Sequence, residues 1–173
     1  MLNTKVKKYK DNGVVEGRVF RLSHKFTLAA TLYHTIQFTT TTDFCLRKQD
    51  ISVSQGEVEF NAVLNPSSIT QAFTETLNYV GLNRLDRRPS DYIPTTLIKN
   101  SGQISNDGNI AETVIVKSAG GNSNATTIQR IEDYRYLPAG TYYLKFQNTG
   151  NQDAKVVYTL IFEELDYNND ASI

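Results

Sequence analysis

Apolar and polar residues alternate along this chain in short runs, and clusters of Asn, Gly, Ser, Asp and Pro separate the runs. Period-two alternation marks a strand with one buried face, and such clusters are where turns form. Thr141 to Asn148 sets Tyr142, Leu144 and Phe146 against Tyr143, Lys145 and Gln147. Ala154 to Leu165 places Val156, Tyr158, Leu160 and Phe162 on one side, while Val157 and Ile161 opposite them imply partial cover there as well. With Thr149-Gly150-Asn151-Gln152-Asp153 as the turn between them, these two runs predict an antiparallel hairpin.

Glu57, Glu59 and Asn61 alternate with Val58, Phe60 and Ala62 up to Leu64, which predicts another strand with one wet face before the Asn65-Pro66-Ser67-Ser68 loop. The threonine-rich run from His34 to Thr42 predicts a strand near a sheet edge. Further strands are expected over Phe73 to Leu82, Thr95 to Lys99, Ile110 to Lys117 and Thr127 to Tyr136, with loops at Ser101 to Gly108 and at Gly120-Gly121-Asn122-Ser123-Asn124. Helical periodicity is almost absent, so nothing supplies the crossovers of a parallel sheet. Eight or so strands at loosely regular spacing predict an all-β chain, an antiparallel β-sandwich of jelly-roll type. The expected organisation is a basic extended arm over 1–17, a sandwich over 18–165 and an acidic polar tail over 166–173.

Charge changes this picture little. Lys plus Arg and Asp plus Glu number 18 each, so no overall field favours nucleic acid or an anionic membrane. The charge is instead placed at the ends: Lys5, Lys7, Lys8 and Lys10 in the arm, Glu163, Glu164, Asp166 and Asp170 near the C-terminus. Head-to-tail contact between subunits and ordinary solvated surface both account for that asymmetry. Cys45 is the single cysteine and lacks the neighbours of a zinc site, which predicts a buried, reduced thiol. No apolar run approaches a membrane span, and Met1-Leu2 leads directly into lysines, so a cytosol-like compartment is expected.

Candidate chemistry is sparse. The histidines are His24 and His34, and a histidine in a strand is expected to be structural. The adjacent pairs Glu132-Asp133 and Glu163-Glu164 point to opposite faces of a strand, so neither makes a two-carboxylate site, and solvated side chains are expected. Asn106-Asp107-Gly108-Asn109 reads as a turn, since it has neither the spacing nor the closing glutamate of a calcium loop. Arg84, Arg87 and Arg88 alternate with Asp86 and Asp91, a mixture suited to a polar protein interface rather than to nucleic acid. No catalytic residue, metal or cofactor is expected.

Two segments resemble small structural proteins of tailed-bacteriophage virions. Gly81-Leu82-Asn83-Arg84 with Pro94-Thr95-Thr96-Leu97-Ile98-Lys99-Asn100 is similar to that group's "LNRN" loop and "P-T-T" strand. Leu137-Pro138-Ala139-Gly140-Thr141-Tyr142-Tyr143-Leu144-Lys145-Phe146-Gln147-Asn148, continuing to Phe162-Glu163-Glu164, is similar to its "L-P-x-x-T-Y-L-L-K-x-x-N" hairpin. Arg87 and Arg88 depart from the small polar residues expected after the loop. The resemblance implies a decoration or cement protein on the outer capsid surface, a homo-oligomer (trimer or dimer) partnered by the major capsid protein and not an enzyme. Lys5, Lys7, Lys8, Lys10, Arg84, Arg87 and Arg88 would be its capsid or subunit contacts. The alternative is a receptor- or carbohydrate-binding module of a tail fibre or adhesin; the absence of tryptophan counts against it.

Overall fold

The computed structural model describes residues 17–82, 92–118, 127–131 (backbone only) and 134–165. In chain order the strands are β1 (Val19–Leu28), β2 (Tyr33–Thr40), β3 (Phe44–Gln55), β4 (Glu57–Leu64), β5 (Ile69–Gln71), β6 (Glu75–Thr76), β7 (Val80–Gly81), β8 (Leu97–Ile104), β9 (Asn109–Lys117), β10 (Thr127–Ile131), β11 (Arg135–Leu137), β12 (Gly140–Asn148) and β13 (Ala154–Glu164). They form two antiparallel sheets. One runs β10-β3-β13-β1-β7, with β11 also on β3; the other runs β5-β8-β2-β12-β4-β9, with β6 also on β8.

Without the β5–β8 excursion and β11, the orders reduce to β10-β3-β13-β1 facing β2-β12-β4-β9. Up to β4 the chain changes sheet at every step, stays for β9, then crosses to β10 and back through β12 to β13. Eight strands wound in this way are a jelly roll, the architecture expected from the alternation.

The expected hairpin does not form. β12 pairs with β2 and β4, whereas β13 pairs with β1 and β3 in the opposite sheet. Residues 149–153 therefore carry the chain across the sandwich. The apolar faces of the two strands meet through the core instead of side by side: Phe146 and Tyr158 are edge to face at 5.2 Å, and both are fully buried. Alternation defines each strand's inward face but not its neighbours, and two central strands of opposite sheets read the same as a hairpin.

Other differences are local. β8 continues through Ser101 to Ile104, where a loop was expected, with Ser101 at φ 62° and a register irregularity against β2. A Cβ on Gly102 would lie 2.4 Å from the Phe73 ring, so glycine there lets Phe73 lie flat on the sheet. Phe73 closes a small second core with Val63, Ile104 and Tyr143 on the outer face of that sheet. The stretch from Phe73 to Leu82 holds only the two-residue strands β6 and β7, and 127–136 is divided into β10 and β11. β2 is one strand inside the edge that β8 and its short partners form. Gly56, at φ +83°, makes the corner from β3 to β4, where a Cβ would lie 2.9 Å from the Ala154 backbone, a conformation and a proximity that exclude other residues.

Candidate functional site

Lys5, Lys7, Lys8 and Lys10, as well as Arg84, Arg87 and Arg88, lie outside the described residues, as do Glu132, Asp133 and the tail over 166–173. Two of the remaining candidates mark places of note in the fold, and the structure adds a third.

The first is the end of β13. Glu163 and Glu164 do face opposite sides, but neither is solvated: they are 7% and 0% exposed. The reason is that β13 is a central strand to its last residue. Glu163 turns outward between two arginines, with Arg47 Nε donating to it at 2.9 Å and Arg18 Nη1 in an ion pair with it at 3.7 Å. Glu164 turns inward and accepts from the backbone amides of Thr95 (3.0 Å) and Thr96 (2.7 Å), from the Thr96 hydroxyl and from the Tyr92 hydroxyl (2.6 Å). Donors in that number replace the water a buried carboxylate gives up. The chemistry is that of a fastener, joining the Pro94-Thr95-Thr96 segment to the end of β13.

The second place joins the histidines. His24 of β1 and His34 of β2 meet at one side of the sandwich, Nε2 to Nε2 at 3.1 Å, one ring donating to the other. Phe26 stacks on His34 at 4.1 Å and on His24 at 5.3 Å. Burial, reinforced by the neighbouring His24, lowers the His34 pKa to about 4, with Glu75 opposing; burial lowers that of His24 too. Both rings are thus held neutral near pH 7 and packed as aromatics, the structural role expected. No group of three His, Cys, Asp or Glu among the described residues is placed to hold a metal.

The third place was not legible in the sequence. Between the sheets lies a cavity of about 110 Å³ walled by Phe38, Phe44, Leu46, Tyr142, Leu144 and Leu160. Two irregularities shape it. In β3 the register against β13 shifts at Arg47, so that Leu46 and Gln49 both face inward. In β9 the register against β4 shifts at Ala111, which leaves Glu112 opposite the inward Ala62. Arg135 of β11 lies opposite the inward Leu46 and reaches Glu112 across the gap between sheets, with two hydrogen bonds of 3.0 and 3.2 Å. This forked pair closes the mouth, its arginine 37% exposed. Deeper in, the fully buried Tyr158 hydroxyl donates to Gln49 Oε1 at 3.0 Å, and burial raises the Tyr158 pKa well above its usual value. Gln49 Nε2 is buried with no hydrogen-bond partner among the described residues.

The turn at Asn106 to Asn109 is confirmed as one. Asp107 accepts from Ser67 N at 3.1 Å and from the Ser105 hydroxyl, and these bonds hold its carboxyl well below the usual range. Cys45 is buried on β3, as expected. Tyr136, whose β11 position faces away from the core, is 72% exposed beside Tyr134, 47% exposed.

No protein-family model and no curated protein matches the chain. Solved structures to which it is similar include PirA (TM-score 0.40, 11% identity, 80% of this chain and 93% of that one). The decameric BFDV capsid protein aligns with a TM-score of 0.28 and 10% identity over 86% of this chain and 98% of that one. TmCBM61 in complex with beta-1,4-galactotriose aligns with a TM-score of 0.27 and 13% identity over 84% of this chain and 63% of that one. The strand order, not these likenesses, identifies the jelly roll.

Proposed function

We propose that this chain is a structural virion protein of a tailed bacteriophage, a decoration or cement protein that binds the outer capsid surface as a homo-oligomer and stabilises the head. Its work is binding and assembly rather than catalysis, its partner is the major capsid protein, and it is made in the host cytoplasm. The observation that carries the reading is the Glu164 fastener. The two sequence segments that resemble phage virion proteins are far apart in the chain, yet Glu164 at the end of the second receives Thr95 and Thr96 of the first. They are therefore held in contact within one domain, which supports reading the two similar segments together. The segment carrying Arg84, Arg87 and Arg88 precedes this anchored stretch directly, and the basic arm precedes β1. Basic segments on a compact sandwich suit a protein that packs on one capsid subunit and reaches the next.

Exposed Tyr134 and Tyr136 favour the second reading, a receptor- or carbohydrate-binding module, because adjacent exposed aromatic rings are a surface on which sugars stack. Co-sedimentation with matched phage heads lacking the protein, using the full-length chain and one without residues 1–17, separates the two. Saturable binding weakened by loss of the arm is expected; no binding by either form, with retention on a glycan array, overturns the capsid reading in favour of the second.

A further inference from the structure

We infer that the cavity between the sheets is a binding site for a small, neutral, largely apolar molecule bearing one hydrogen-bond-accepting oxygen, such as a ketone or ester group, received by the side-chain amide of Gln49.

Three observations converge on this class. The walls are aliphatic and aromatic, so the ligand's body is apolar. The Gln49 amide is committed at its oxygen to the Tyr158 hydroxyl, which leaves its two N–H donors without a hydrogen-bond partner among the described residues. A buried amide without an acceptor is costly, and an incoming oxygen recovers that cost. The mouth offers an ion no net charge to hold it, because Glu112 and Arg135 neutralise each other there. An ion would also surrender its hydration on entering apolar walls.

Size fixes the scale. The volume of about 110 Å³ compares with the roughly 150 Å³ of an engineered apolar cavity that binds benzene, so the ligand, or the end of one that enters, is benzene-sized or smaller. A single water takes about 30 Å³ and needs two to four polar partners. Gln49 and Tyr158 offer one such position, and the remaining space is apolar. The site is independent of the proposed capsid contacts, since its lining comes from the sandwich interior and its occupancy requires no partner chain.

The test uses the full-length protein and two probes of matched shape, cyclopentanone and methylenecyclopentane, followed through the Gln49 side-chain amide resonances by NMR. Cyclopentanone is expected to shift them saturably and to bind about tenfold more tightly than the hydrocarbon, the worth of one buried hydrogen bond. Gln49→Met should equalise the two probes, and Ala62→Leu, which fills the cavity while leaving Gln49 in place, should abolish both. Equal binding of the two probes by the wild type, unmoved Gln49 resonances, undiminished binding by Ala62→Leu, or a resident water at Gln49 that persists at saturating probe would each overturn the inference.

Discussion

A carboxylate buried as completely as Glu164 is tolerable only while its donors stay in place, and that makes its removal a sharp test of the fastener. Replacement by alanine orphans the Thr95 and Thr96 amides, whereas the Thr96 and Tyr92 hydroxyls can rotate toward other acceptors. Two orphaned buried donors cost about 3–5 kcal/mol together, and the urea midpoint should fall accordingly with the slope unchanged. The histidine pair makes a second prediction at this scale. With a folded pKa of about 4 against 6.5 unfolded, His34 takes up its proton more readily in the unfolded chain. Stability is therefore complete above pH 6.5 and is lost as pH falls from 6.5 towards 4. The whole effect is of order 3 kcal/mol. His34→Phe, which keeps the stack with Phe26, should flatten most of the pH dependence between 6.5 and 5, read as the difference in unfolding free energy from wild type. A parallel fall in both proteins would show that groups other than His34 govern it.

At the scale of elements, alternation located most of the strands but singled out neither β1, which keeps one register throughout, nor β3, which a bulge interrupts. The inward face of β4 was legible because Val58, Phe60 and Ala62 keep parity, but its expected wet face is partly covered, with Asn61 and Val63 buried on it. β3 was not singled out at all. Its inward residues are Phe44 and Leu46 before the shift, then Gln49, Ile51 and Val53 after it, and the polar run from Arg47 to Asp50 lies across the change. The same shift puts Gln49 into the cavity, so the site was hidden by the irregularity that creates it. Glu112 and Arg135 were equally opaque, each ordinary in its own strand and meaningful only once the two edges approach. Glu163 and Glu164 looked solvated because composition near a chain's end says nothing about a strand staying central to its last residue. The β8 extension yields a testable consequence: Gly102→Ala must push Phe73 off the sheet. That should cost about 1–3 kcal/mol, and hydrogen exchange should quicken in residues 69–77 while the β12 and β13 amides keep their protection.

For the whole molecule, the decisive fact is where the last two strands lie. β12 sits between β2 and β4, and β13 between β3 and β1, so each sheet is completed in its middle by the two strands that come last in the sandwich. Before β13 arrives, β1 and β3 have no bonds to each other and one face of the core is split. Phe20, Ile51 and Phe146 would then face water in place of Phe162 and Tyr158. Loop-closure entropy must be met before any of these distant contacts forms, which predicts slow folding, in the millisecond-to-second range or longer, as one cooperative transition. A chain ending at Asp153 should therefore be unfolded, with collapsed amide dispersion and rapid proteolysis. A chain ending at Leu165 retains every described strand and should fold with the wild-type midpoint. Native-like dispersion in the shorter chain would mean that one sheet is stable without its central strand. The two sheets would then be separate folding units, contrary to a core that the strands of both build together.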